Sequence, residues 1–380
     1  MPPVIDADAH IVEPKAVWQD YANPALHDPI SQDILKHLDN DSWEQVITDN
    51  GGRDWIQINT FNPKSIAPMC IPGGLSNSER AHGLTWDDLR PASFDPHIRV
   101  EEMDAVGVDI SMIYPSLGLY FGSITDPKLA GAACRGYNDW MADFCQPYPN
   151  RLYNVAPIPL QGVDEAVTEM RRVVTQHGVK AVTIRPNPYN NRQLCDAAYA
   201  PFWAEAQELD CTVALHSSVT GDMPTIGFER YPDFLRRMVI AHPFEQQMAC
   251  MDLIYGGVLE QYPRLRIAIV ETGAGWLPYW LSRLDEFHSK LSRMVPPLSL
   301  KPSEYFHRQC FLACEPDDVV LKSVEALGIE DVLMWASDYP HFDCGGPAIV
   351  EELRESCEGL PESVQGKVLG ENAARCYKLN

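Results

Sequence analysis

The chain has 380 residues, 45% hydrophobic and 22% charged, the balance of a soluble globular protein. Its 30 basic and 53 acidic residues leave a formal net charge of -23, a field that repels phosphate backbones and anionic headgroups and so argues against nucleic-acid and membrane partners. No stretch approaches the roughly 20 apolar residues of a membrane span, and the 11 scattered cysteines include no CxxC pair, which predicts reduced thiols and a cytoplasmic setting without a secretory leader.

Val4–Ile11 reads as a buried first strand that ends in Asp6-Ala7-Asp8-Ala9-His10. Alternate side chains of a strand share a face, so Asp8 and His10 point one way and Ala9 the other. A carboxylate and an imidazole at that spacing can close on one divalent metal ion; a surface strand with a chance Asp and His is the bland alternative. Residues 13–98 then break the pattern. This stretch is rich in Pro, Asn, Gly and Trp, with short strand patterns at Trp43–Thr48 and Asp54–Ile58. It reads as a lid inserted after the first strand, and Arg53, Arg80, Trp55 and Trp86, with Tyr120 from the next loop, are its candidate pocket residues.

From the Arg99–Gly107 helix pattern onward, apolar strands and amphipathic helices alternate. The strands are Asp109–Pro115, Leu152–Leu160, Val179–Pro186, Cys211–Ser218, Leu265–Thr272, Gln309–Cys314 and Val332–Pro340; the helices include Val163–His177, Tyr199–Leu209, Gln246–Tyr262 and Val319–Gly328. Most strands are continuous apolar runs, as in parallel strands covered on both faces. About eight strand–helix repeats indicate an α/β chain folded as one (β/α)8 TIM barrel across residues 1–380. A doubly wound sheet is the rival, weakened because no Gly-rich dinucleotide fingerprint follows the first strand.

Polar residues interrupt these strands at their C-terminal ends, which all meet at one barrel face. Asp8 and His10 end the first strand, Arg185 the fourth, His216 the fifth, Glu271 the sixth and Asp338 the eighth. Any one of them could simply cap a helix or bond a loop. Several ionisable groups at one mouth need compensation, and a cation provides it. Asp8, His10, His216 and Asp338 offer two carboxylates and two imidazoles for one divalent ion, with Zn2+ the first expectation and Mn2+ the alternative. Arg185 either pins a substrate carboxylate or bridges a loop Asp.

These segments, together with Ala214-Leu215-His216-Ser217, Gly256-Gly257-Val258 through Pro263-Arg264-Leu265-Arg266, and Ser337-Asp338-Tyr339-Pro340-His341, resemble the amidohydrolase superfamily. The likeness is to its amidohydrolase-related branch, which includes aminocarboxymuconate-semialdehyde and resorcylate-type decarboxylases. The resemblance implies a (β/α)8 barrel with a mononuclear metal. It implies Asp8 and His10 as first-strand ligands, His216 as the fifth-strand ligand and Asp338 as the eighth. Decarboxylases of this branch commonly carry a proton-transferring His at the end of the sixth strand, where this chain has Glu271. A carboxyl group donates protons poorly at neutral pH unless burial raises its pKa.

The expectation is therefore a metal-dependent hydrolase acting on a small carboxylated substrate. In it Asp338 takes a proton from water, and His242 or Glu271 returns it to the leaving group. The alternative is a non-oxidative decarboxylase of an aromatic or unsaturated acid; a non-catalytic metal scaffold ranks third. His341 is expected to orient a ligand rather than bind the metal. The apolar run Trp276-Leu277-Pro278-Tyr279-Trp280 suits core or a homodimer interface alike.

Overall fold

The computed structural model describes residues 2–14, 17–21, 88–218, 223–231 and 234–379. Eight strands lie in sequence order in one sheet: β1 Ile5–His10, β2 Ile110–Tyr114, β3 Leu152–Pro157, β4 Ala181–Ile184, β5 Thr212–His216, β6 Ile267–Val270, β7 Cys310–Cys314 and β8 Leu333–Trp335. Every neighbouring pair from β1–β2 to β7–β8 is parallel. Polar bonds close the seam between β8 and β1: Asp338 N donates to Asp8 O (2.9 Å), His10 N to Tyr339 O (2.6 Å) and Ser337 N to Asp6 Oδ1 (3.0 Å). The fold is a (β/α)8 barrel.

The main helices are α1 Pro96–Val106, α2 Pro127–Cys145, α3 Val163–His177, α4 Ala200–Glu208, α5 Phe234–Tyr255, α6 Leu277–Leu291, α7 Pro302–Gln309, α8 Ile349–Ser356 and α9 Asn372–Tyr377. Asp95 and Asp126 cap α1 and α2 by accepting from backbone N–H groups of the first turn, each ahead of a proline that needs no partner there. Strand alternation sorts the apolar residues into two cores. Inward-facing Ile5, Met112, Val155, Ala214, Ala268 and Met334 fill the barrel, and α9 plugs its lower end with Cys376 and Tyr377. Outward-facing Ile113, Val182, Leu215, Ile269, Leu312 and Trp335 meet the helices.

Two helices differ from the sequence reading. The segment Val319–Gly328 holds a single 3-10 turn, Leu321–Ser323, rather than an α-helix. Asp318 already captures Val320 N (3.0 Å) and Ala274 N (2.6 Å), and successive i→i+3 bonds tighten the chain. Conversely, α5 begins at Phe234 and runs through Pro243. His242 thus sits inside that helix, ahead of the Gln246 start read from the sequence, and the shorter segment Val258–Gln261 is separate. A proline interrupts the helical bonding without stopping the helix when the rest of the face is packed.

The strand patterns at Trp43–Thr48 and Asp54–Ile58, most of the inserted segment, and Arg53, Trp55, Arg80 and Trp86 lie outside the described residues. In the run Trp276–Trp280, Leu277 is fully buried while Tyr279 is 64% exposed, so this stretch is shared between core and surface. Among the described residues no helix is long and apolar enough to cross a membrane, and ten cysteines are free thiols.

Candidate metal centre at the barrel mouth

A register shift in β1 builds the first part of the site. Asp6 pairs with Ser111 and Ala9 with Ile113, so Ala7 and Asp8 together oppose Met112. This β-bulge changes the phase of the alternation. Asp6 faces outward with Ser111, Ala7 joins the barrel interior, and Asp8 and His10 share the inner side of the mouth. On β5, Thr212, Ala214 and His216 alternate inward and deliver His216 to the same point.

Asp8 Oδ1 lies 3.5 Å from His10 Nε2 and 3.7 Å from His216 Nε2, and the two Nε2 atoms are 3.0 Å apart. All three side chains are buried to within 1% of full occlusion. His10 Nδ1–H donates to Pro115 O (2.9 Å), and His216 Nδ1–H donates to Ser217 O (2.8 Å). With both Nδ1 atoms protonated, both Nε2 atoms are bare lone pairs, so their close approach is not a hydrogen bond. Both oxygens of Asp8 are buried with no hydrogen-bond partner. Two lone pairs and an uncompensated carboxylate around one point fit a divalent cation and little else.

Asp338 stands on the other side of His10, its Oδ1 3.1 Å from His10 Nε2 and 2.9 Å from His341 Nδ1. The His341 ring stacks on His10 at 3.9 Å, and its Nε2 meets Ser116 Oγ at 2.9 Å. The ligand-type atoms therefore fall into two groups that share His10: Asp8, His10 and His216, and His10, Asp338 and His341. Asp338 adopts φ +54°, and Glu271 φ +57°, a left-handed backbone that a non-glycine residue adopts at a cost. Alternation alone, with Ala268 and Val270 inside, would send Glu271 outward. Instead its Oε2 comes within 3.2 Å of His216 Nδ1 and its Oε1 within 3.6 Å of His242 Nδ1.

Burial lowers the pKa of His10 and His242 to about 4 and that of His216 well below its ordinary value, so all three are neutral imidazoles near pH 7. Neutral imidazole is the form that ligates a metal. Burial, with Asp338 nearby, raises Asp8 and Glu271 well above the usual carboxylate range. Burial works against ionisation of Asp338 too, but the neighbouring His341 outweighs it and holds Asp338 well below its ordinary value.

Arg185, 2% exposed, follows β4 and donates from Nη1 to Leu119 O (3.1 Å), beside the loop that carries Tyr120. Its charge is felt at His242 and Glu245, which places the guanidinium toward α5. Thus Asp8, His10, His216, Asp338, Glu271 and His242 form one connected cluster, with Arg185 at its α5 side. Sequence reasoning missed Glu315, Asp343, Ser116 and Glu13. Glu315 directly follows β7, and burial with Asp338 nearby raises it to about 7; Asp343 rises to about 8 for the same reasons. Ser116 and Glu315 obey the strand-end rule that located the others. Glu13 leaves no such signal: its carboxylate accepts from Leu117 N (2.9 Å) and Gly118 N (2.8 Å), bracing the β2 loop.

The model of the amidohydrolase family matches residues 5–379. The chain is 26% identical over 351 residues, 92% of this chain and 91% of the relative, to 2-amino-3-carboxymuconate-6-semialdehyde decarboxylase of Dictyostelium discoideum. It is 26% identical over 335 residues, 82% of this chain and 97% of the relative, to gamma-resorcylate decarboxylase of Rhodococcus jostii (strain RHA1). Among solved structures, 5-carboxyvanillate decarboxylase of Novosphingobium aromaticivorans, complexed with manganese and 4-hydroxy-3-methoxy-5-nitrobenzoic acid, superposes with a TM-score of 0.70 at 20% identity. The match covers 100% of this chain and 96% of that one.

Proposed function

Because the chain belongs to the amidohydrolase family, matched over residues 5–379, and is an enzyme, we propose that it is a metal-dependent decarboxylase of a small carboxylated aromatic acid. Both relatives named above are decarboxylases, which favours this carboxy-lyase alternative over the hydrolytic expectation. The observation that carries the reading is the pair of facing Nε2 lone pairs of His10 and His216 with the unpartnered Asp8 carboxylate beside them.

Asp8, His10, His216 and Asp338 would hold the cation. When bound, it supplies Lewis-acid polarisation of the substrate carboxylate or a neighbouring hydroxyl. Mn2+ is the first ion to test, since the Novosphingobium decarboxylase holds manganese; Zn2+ suits the same donors. In the reaction the ring-to-carboxylate bond breaks, its electron pair stays on the ring carbon, a proton replaces it, and carbon dioxide leaves.

The chain's own residues divide this work. Arg185 faces the substrate's anionic group and fixes its orientation. Glu271 delivers the proton. Its carboxyl sits between His216 and His242, and the same burial that raises its pKa keeps the protonated form available, as a donor requires. A cation on Asp8 opposes part of that rise, while burial and the ionised Asp338 sustain it. His242 Nδ1 lies 3.6 Å from the Glu271 carboxyl and flanks it. His341 keeps Asp338 ionised and oriented toward His10.

The test is product analysis. Enzyme reconstituted with Mn2+ is incubated with gamma-resorcylate and with 5-carboxyvanillate while carbon dioxide and the phenolic product are followed together. Stoichiometric appearance of both supports the proposal. Substrate loss without carbon dioxide, or no turnover of any carboxylated aromatic in a broader panel, overturns it.

A further inference from the structure

Behind the barrel wall that carries Asp8 lies a cavity of about 220 Å3. Its floor is Asp6 of β1, Ser111 of β2 and Ser337 just after β8; Met103 and Val106 of α1 and Pro347 and Ile349 of the α8 entry form apolar walls. Its floor lies just before the β1 bulge. Asp6 and Ser111 are register partners and both turn outward, while Ala7 and Asp8 turn in.

The charged groups around this cavity already have partners. Asp6 accepts from Ser337 N (3.0 Å), Ser337 Oγ (2.5 Å) and Asp8 N (3.3 Å). Arg99 is 2% exposed, donates to Ala92 O (3.0 Å) and to His10 O, and lies over the Tyr339 ring at 4.6 Å. Glu102 accepts from Arg90 (2.8 Å) and Tyr339 OH (2.5 Å). The Ser111 hydroxyl differs: it is 1% exposed and has no hydrogen-bond partner.

We propose that this cavity binds a small uncharged molecule of phenol size, with an apolar body and one hydroxyl group. The apolar walls favour burial of the body. Paired charges leave no counter-ion for a charged ligand, so an anion or cation would lose its hydration uncompensated. The ligand's hydroxyl meets Ser111 Oγ and satisfies a buried polar group that otherwise lacks a partner.

Phenol itself is the probe, titrated into the full chain by calorimetry, with benzoate as its anionic counterpart. Phenol also resembles the product class proposed above, so a variant remote from the mouth must identify the site. Ala105 lines the cavity from the exposed side of α1, and A105W places an indole across the entrance. The expected result is saturable binding weakened at least about tenfold in A105W and about threefold to tenfold in S111A, the loss of one hydrogen bond. Benzoate is expected to show no binding that A105W removes. Phenol binding unchanged by A105W, or benzoate binding equally sensitive to it, overturns the proposal. A crystal soaked in phenol gives an independent reading should A105W fold poorly. Density against Ser111 together with saturable binding in solution supports the site; an empty cavity, or binding at crystal concentration only, refutes it. Failure here leaves the decarboxylase reading untouched, because no residue of this cavity acts in that chemistry.

Discussion

His10 Nε2 and His216 Nε2 face each other at 3.0 Å although 206 residues separate them in the chain. Each ring is locked by its other nitrogen, one to Pro115 O and one to Ser217 O, so neither can rotate to donate to its neighbour. A shared cation would relieve this arrangement, with Asp8 and Asp338 supplying the charge to hold it.

Replacing His216 is therefore predicted to remove the ion rather than merely loosen the fold. For H216A we expect metal content to fall from about one ion per chain, the number a single mononuclear centre holds, to near background after dialysis, measured by elemental analysis. Far-ultraviolet circular dichroism should stay unchanged. Retention of full metal content would remove His216 from the ligand set.

Glu271 is predicted to donate the proton. E271Q keeps the shape and a neutral side chain but cannot act as an acid. We expect turnover to fall about 10²- to 10⁴-fold with metal content preserved. A variant that retains wild-type turnover would assign the proton to another group, with His242 the next to test.

Arg185 is predicted to act on substrate binding. R185Q should raise KM about tenfold or more, the loss expected for a charge-assisted bond, while the metal stays bound. If KM holds and only thermal stability falls, Arg185 serves to brace the Leu119 carbonyl.

Asp252 of α5 offers a stability test far from the mouth. Burial raises its pKa from 3.8 to about 6, so the folded state binds its proton more tightly than the unfolded chain. That preference favours folding fully below pH 3.8 and is lost as pH rises through 6. Above pH 6 the folded protein must hold a partly buried charge, so D252N should raise Tm at pH 8 by about 1–2 °C, with solvent screening limiting the gain. The difference should shrink steadily toward pH 5. An equal effect at both pH values would contradict this account.

The barrel was legible because its strands are continuous apolar runs and its polar residues fall where those runs stop. Asp8, His10, His216 and Asp338 announced themselves in that way. The β1 bulge was not legible: period-two counting puts Asp6, Asp8 and His10 on one face, and only the register against Ser111 and Ile113 shows that Asp6 turns outward. Glu271 was found by position, but its approach to His216 depends on a positive φ that no composition reports. The helical pattern read from Gln246 onward did not show that α5 starts at Phe234 and passes through Pro243. Glu315 and Ser116 were within reach of the strand-end rule, whereas Glu13 acts through backbone contacts that sequence spacing does not encode.

The most direct measurement is anomalous diffraction from crystals grown with Mn2+, recorded on either side of the manganese edge. One strong peak within bonding reach of Asp8, His10, His216 and Asp338 is the predicted result. No peak at the mouth, or a peak bound by other side chains, would contradict the account.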